Sequence, residues 1–309
     1  MLTRSVWPPR PSPSGRDGGR PCGLYAMDAT GGSRVSVALT NIEIDQSHQS
    51  AARGLEFALP TTGCALVTGA SRGIGLAVAQ ALARGGLPVG INFRSDETAA
   101  RAAAQAITNA GGRAVVVGAD VSDAESVDGL FNALEDEFGA VSVLVNNAGV
   151  RADGLLANLD DEQWRTVLST NLTGSFHTMR RALPSMIRAR FGRIVNVASV
   201  LGAHSIPGVG NYAAAKAGLG ALTRSVAVEV ARKGVTVNAV APGLARTDMT
   251  HDVAHLDQSV RRHVPIRRAA SPDEVAACVC FLASTAAGYV TGATLAVDGG
   301  LSAAAFQLS

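Results

Sequence analysis

The sequence predicts an α/β protein: a parallel, doubly wound sheet of seven strands with helices on both faces. Two observations carry this. Seven short apolar runs alternate with segments of helical spacing, and a turn studded with glycine follows the first run. The runs are CALVT (64–68), LPVGINF (87–93), RAVVVGAD (113–120), VSVLVNN (141–147), RIVNVAS (193–199), VTVNAVAP (235–242) and TLAVDG (294–299). Apolar residues in succession, rather than in alternation, mark strands covered on both faces, as parallel strands are. Between the first two runs, Ile74, Val78, Ala81 and Ala83 recur at helical spacing. Two longer helical segments span Asp161 to Arg190 and Asn211 to Arg232. Ser271-Pro272-Asp273-Glu274 is a capping box with proline at the first helical position, so a helix starts near Pro272.

Of 309 residues, 47% are hydrophobic and 17% charged, enough for one domain of about 245 residues and an extension. The boundary falls at residue 60: 61–309 is the domain, and 1–60 reads as an extension. Up to Arg34 that extension is rich in Pro, Gly, Ser and Arg, too poor in apolar residues to fill a core. An organellar transit peptide and a translation start at Met27 are both open readings of it. RVSVALTNIEID (34–45) has the look of a strand without a role.

With 27 basic and 25 acidic residues, the net charge of +2 is too balanced for a nucleic-acid partner. No apolar run approaches the roughly 20 residues that cross a bilayer, so a cytoplasmic enzyme without a membrane partner is expected. Cys22, Cys64, Cys278 and Cys280 read as reduced thiols. The histidines His48, His177, His204, His251, His255 and His263 form no metal set, and none is expected.

The chemistry lies in two places. The turn after the first strand carries Gly69, Gly73 and Gly75 with the spacing GxxxGxG. Glycine lets backbone approach a pyrophosphate, and the helix that follows offers free N–H groups to it. Further on, Tyr212 and Lys216 stand four apart on a helix face, thirteen positions after Ser199. An ammonium beside a phenol stabilises the phenolate and should draw its pKa from about 10 towards neutrality. Such a phenol exchanges a proton with a carbonyl or alcohol oxygen, to which Ser199 would offer its hydroxyl.

Taken in order, TGASRGIG (68–75), DV (120–121), NNAG (146–149), NLTG (171–174), Ser199, YAAAK (212–216), APG (241–243) with Thr247, and VDGG (297–300) form one pattern. With it the chain resembles the short-chain dehydrogenase/reductase family, a single-domain form of the Rossmann fold, from about residue 61 to 301. RIVNVASV, ANLDDEQW, APGLARTDMT and FLASTAAGYVTGATLAVDGG bring it nearest to the beta-ketoacyl-acyl carrier protein reductases of fatty acid synthesis.

The resemblance implies roles. Tyr212 would be the general acid, Ser199 the group that polarises the carbonyl, Lys216 a ligand of the nicotinamide ribose, and Asn171 the holder of a water linking Lys216 to solvent. For the cofactor it implies Gly69, Ser71, Arg72 and Ile74 at the phosphates and Asp120 and Val121 at the adenine. It implies Asn147, Ala148 and Gly149 under the adenosine ribose. Pro242, Gly243, Ala245 and Thr247 would lie over the nicotinamide. The segment 247–265 corresponds to the family's substrate lid, followed here by Pro265-Ile266-Arg267-Arg268 in place of the usual Gly-Arg.

After the second strand, Phe93 and Arg94 occupy the place where an NAD enzyme carries a carboxylate, and Arg72 lies in the glycine turn. Two guanidiniums favour a 2′-phosphate, hence NADP(H), unless Arg94 pairs with Asp96 or Glu97. The expected reaction is NADPH-dependent reduction of a beta-ketoacyl thioester, in fatty acid or polyketide assembly. An alcohol or sugar dehydrogenase and a binding protein without catalysis are the alternatives. Arg190 and Lys233 are candidate cations beside the cleft for an acidic acyl carrier protein, and the family's habit implies a homotetramer.

Overall fold

The computed structural model describes residues 58–247 and 256–304. The extension up to residue 57, with Cys22 and His48, lies outside these, as do His251, His255 and the rest of lid residues 248–255.

All seven expected strands form: β1 Cys64–Val67, β2 Val89–Phe93, β3 Ala114–Gly118, β4 Val141–Asn146, β5 Gly192–Val197, β6 Val235–Pro242 and β7 Thr294–Val297. They make one sheet in the order β3-β2-β1-β4-β5-β6-β7, and every pairing is parallel. The chain runs outward from β1 through β2 to β3, then returns to place β4 on the other side of β1. The strand order therefore reverses between β1 and β4, and a crevice opens there at the carboxyl ends.

The helices are α1 Gly73–Arg84, α2 Glu97–Asn109, α3 Ala124–Phe138, α4 Asp161–Leu168, α5 Gly174–Ala189, α6 Gly210–Val230, α7 Leu256–His263 and α8 Pro272–Ala283. A π turn, Ser169–Thr173, joins α4 to α5 almost without a break. Alternate strand residues feed two cores. Ala65 and Val67 of β1 pack with Leu82 of α1, Ile107 of α2 and Val279 of α8. Cys64 and Leu66 pack on the other face with Phe131 of α3, Met179 of α5 and Val226 of α6. Ser271 and Glu274 close a reciprocal capping box at the start of α8, with proline inside the first turn.

Candidate active site

Four helices begin with a side-chain cap: Asp96 on α2, Asp123 on α3, Asp160 on α4 and Ser271 on α8. All four also carry acidic residues in the first turn. Helix α1 has neither, and its N-terminus faces the crevice. Its first N–H groups and positive dipole end are thus left for an anion.

The turn ahead of it is built for close approach. Gly69 has φ of +61°, and a Cβ there would stand 2.9 Å from Ala148 Cα. A Cβ on Gly75 would collide with the Asn147 amide and the Gly69 carbonyl. Asn147 donates from Nδ2 to Thr68 O at 3.0 Å and Gly69 O at 2.9 Å, so it braces the turn. Thr68 Oγ1 accepts from the amides of Asn147 and Ala148, each at 3.0 Å. Asn92, which the sequence reading passed over, ties the same turn to the β2 and β3 ends. Its Oδ1 accepts from Gly69 N at 3.3 Å, and its Nδ2 donates to Ala119 O at 3.0 Å.

A cleft of about 550 Å³ runs from this turn to the tips of β2 and β3. Gly69, Ser71, Arg72, Ile74, Arg94, Asp120, Val121, Asn147, Ala148, Gly149 and Thr247 all line it. Arg94 pairs with neither Asp96 nor Glu97. Asp96 caps α2, Glu97 binds Arg101, and Arg94 Nη1 lies 3.8 Å from Asp120 Oδ2 across the cleft edge. Burial pushes the Asp120 carboxyl up, but bonds from the Ser122 hydroxyl and amide, with the charge of Arg94, hold it below the usual range.

A second chamber of about 150 Å³ opens beyond, sharing Ile74, Asn147, Gly149, Arg151 and Thr247 with the first. Ser199, Tyr212 and Lys216 line it, with Pro242, Gly243 and Ala245 opposite. Ser199 lies two residues beyond β5, Tyr212 and Lys216 lie one turn apart on α6, and the end of β6 with the chain after it supplies the opposite wall. Lys216 is 5% exposed; its ammonium donates to Val197 O at 2.7 Å and lies 5.6 Å from the Tyr212 ring centre.

Burial brings the Lys216 pKa down to about 8. The Tyr212 phenol is raised, contrary to the expectation that Lys216 draws it down. Burial is the main cause, and the bond with Ser199 and the charge of Arg151 only partly oppose it. The amine that was to stabilise a phenolate is itself stripped of water.

Asn171 lies apart. It is 0% exposed in the π turn, lines neither chamber, and has both ends of its amide on Val150. Val150 N donates to Asn171 Oδ1 at 2.8 Å, and Asn171 Nδ2 donates back to Val150 O at 3.0 Å. The expected cations for a carrier protein are displaced as well. Arg190 and Lys233 are exposed at the amino ends of β5 and β6, the far end of the sheet from the crevice. His177 packs through Nδ1 on Val121 O at 3.2 Å, and His204 is exposed. Among the described residues no metal-binding cluster occurs, and Cys64, Cys278 and Cys280 are free thiols.

A family model described as enoyl-(acyl carrier protein) reductase matches residues 69–302. A 3-oxoacyl-[acyl-carrier-protein] reductase of Synechocystis is 46% identical over 242 residues, 78% of this chain and 97% of that protein. The chain belongs to the short-chain dehydrogenase/reductase family. It is an oxidoreductase, and the family implies a nicotinamide cofactor. Reductases of the same description from Haemophilus influenzae (43%, 77% of this chain and 97% of that protein) and Staphylococcus aureus (42%, 78% and 98%) are also similar. A solved structure of an Agrobacterium tumefaciens protein assigned as a gluconate dehydrogenase superposes with a TM-score of 0.76 at 35% identity. It covers 80% of this chain and 98% of that one. The crevice suits such a cofactor: the crowded glycine turn and the uncapped α1 suit a pyrophosphate, and the cleft continues into the chamber of Tyr212. No helix among the described residues is long and apolar enough to cross a membrane.

Proposed function

We propose that this chain reduces a beta-ketoacyl thioester, carried on an acyl carrier protein, to the beta-hydroxyacyl thioester with NADPH. The observation that carries this is the convergence of Ser199, Tyr212 and Lys216 in a small chamber continuous with a long cleft. The names of the Synechocystis, Haemophilus and Staphylococcus relatives supply the substrate class.

The cofactor, when bound, supplies the hydride. The residues do the rest. Ser199 Oγ accepts from Leu201 N at 3.2 Å, which leaves its own O–H to be directed at Tyr212 or at a substrate carbonyl oxygen. As that oxygen gains electrons, Tyr212 transfers its phenolic proton to it and is left as phenolate. Lys216 is fixed by Val197 and keeps further N–H donors for ribose hydroxyls and for the phenolate. Asn171 holds the loop wall at Val150. Arg72 and Arg94 line the cleft and would hold a 2′-phosphate, since Arg recognises phosphate through paired N–H groups. The same reading takes the chain to be a homotetramer built on α4–α5 and α6, where Phe176 and Val228 stand exposed.

The test is NADPH oxidation with an acetoacetyl thioester beside a panel of ketones. Robust turnover of the thioester is expected, with a loss of about 10²- to 10⁴-fold in Tyr212→Phe. Preference for a sugar acid would favour the second reading, a sugar dehydrogenase, which the Agrobacterium relative supports. Undiminished turnover in Tyr212→Phe would remove the mechanism. For the cofactor, Arg94→Asp should lower kcat/KM with NADPH about tenfold or more relative to NADH. An unchanged ratio excludes Arg94 as the selector.

A further inference from the structure

We propose that Arg151 and Asp153 are opposed positioning residues for Tyr212: Arg151 holds a positive charge at its ring, Asp153 holds Arg151 in place, and together they set how readily the phenol releases its proton. This rests on the reading of Tyr212 as the proton donor.

The loop after β4 is fastened at every second residue. Val150 is held at both its N–H and its carbonyl by Asn171. Ala152 O accepts from Asn211 Nδ2 at 2.8 Å, and the same Asn211 side chain takes the Tyr212 N–H at 2.7 Å. Gly154 N donates to Gly208 O at 2.9 Å, in the loop leading to α6. The residues between these anchors, 151 and 153, pair with each other. Arg151 Nε donates to Asp153 Oδ1 at 3.1 Å, and Arg151 Nη2 is paired with Asp153 Oδ2. The Arg151 guanidinium then lies 5.9 Å from the Tyr212 ring centre and lines both chambers, where they join.

At that range a cation acts on the ring face and on a phenolate alike. The groups facing Tyr212 are few. Lys216 comes from its own helix, the Ser199 hydroxyl from the segment just after β5, and Arg151 and Asp153 from the loop. Among the described residues, the rest of the chamber wall, from α1, the β4 end and the chain after β6, holds no titratable side chain. Arg151 favours the phenolate and Asp153 opposes it, against the larger upward effect of burial. Because the two signs differ, the pair predicts opposite consequences for its two members.

The experiment is an absorbance titration of the phenolate in the full chain without cofactor, with the Tyr212→Phe trace subtracted. Arg151→Gln should move the Tyr212 midpoint to higher pH, and Asp153→Asn, which removes the negative charge but keeps an Oδ1 acceptor to hold Arg151 Nε, to lower pH. Arg151→Lys, which keeps the charge, should restore most of the wild-type position. The pH profile of kcat should shift in the same directions. The titration needs no turnover, so a wrong assignment of substrate leaves it interpretable. Midpoints that stay put, or that move the same way in Arg151→Gln and Asp153→Asn, overturn the proposal.

Discussion

Among the described residues two cations are buried, at opposite ends of the sheet, and neither has a carboxylate partner. Lys216 lies at the carboxyl end of β5 and Arg193 at its amino end, each about 5% exposed. Arg193 is enclosed. Its Nε donates to Ser284 O at 3.1 Å and its Nη1 to Gly192 O at 2.9 Å, and it lies over the Phe191 ring at 4.4 Å. Lys216 has a single hydrogen bond among the described residues and faces an open chamber. Burial lowers both pKa values, bringing Lys216 to about 8. A guanidinium stays charged under that stress, whereas an ammonium can be brought near neutrality. Arg193 therefore suits a joint between strands, and Lys216 a site where protons move.

The sharpest test of that contrast is Lys216→Met. Activity should fall by about 10²-fold or more, while the fold gains up to about 3 kcal/mol at neutral pH from loss of a desolvated charge. The gain has a pH signature. Lys216 titrates near 8 folded and near 10.5 as a free group, so the unfolded chain binds more protons between those values. Wild-type stability should rise over that window relative to the variant, as the penalty is relieved. Chemical denaturation at pH 7, 9 and 10.5 reads it; a constant difference would mean that the ammonium carries no such penalty.

Arg193→Met should do the converse. It leaves the Ser284 and Gly192 carbonyls without their partner, a loss of about 1–3 kcal/mol, with kcat per folded molecule unchanged. A drop in kcat would show that the two ends of the sheet communicate.

The smallest effect is expected at Arg267, which touches neither cation. It stands where the family usually has glycine and holds φ of +58°. Arg267→Gly should raise stability by about 1 kcal/mol or less, since a left-handed conformation strains a residue with a Cβ. A loss instead would mean that the arginine side chain more than offsets that strain.

The strands were legible because a sheet covered on both faces writes itself as unbroken apolar runs, and all seven appear where those runs stand. The start of α8 was legible because a capping box is local chemistry. The chamber was less so. Tyr212, Lys216 and Ser199 meet as their spacing indicates, but the direction of the phenol's pKa depends on burial, which three letters do not record. Arg151 was invisible because its relation to Tyr212 runs through Asn211 and Ala152, sixty positions away in the chain. Arg190 and Lys233 looked like cations beside a cleft. Which end of a strand a charge occupies depends on chain direction, and both directly precede a strand while the crevice follows one.

The bare start of α1 reaches beyond the site. Because its first N–H groups are placed for an anion, this molecule should resist heat more as free dinucleotide rises, with the logarithm of its concentration. At a free concentration one hundred times Kd, the added resistance would be about 2.7 kcal/mol. Starved of coenzyme, the same chain would be measurably softer, so its lifetime would follow the coenzyme supply of its surroundings.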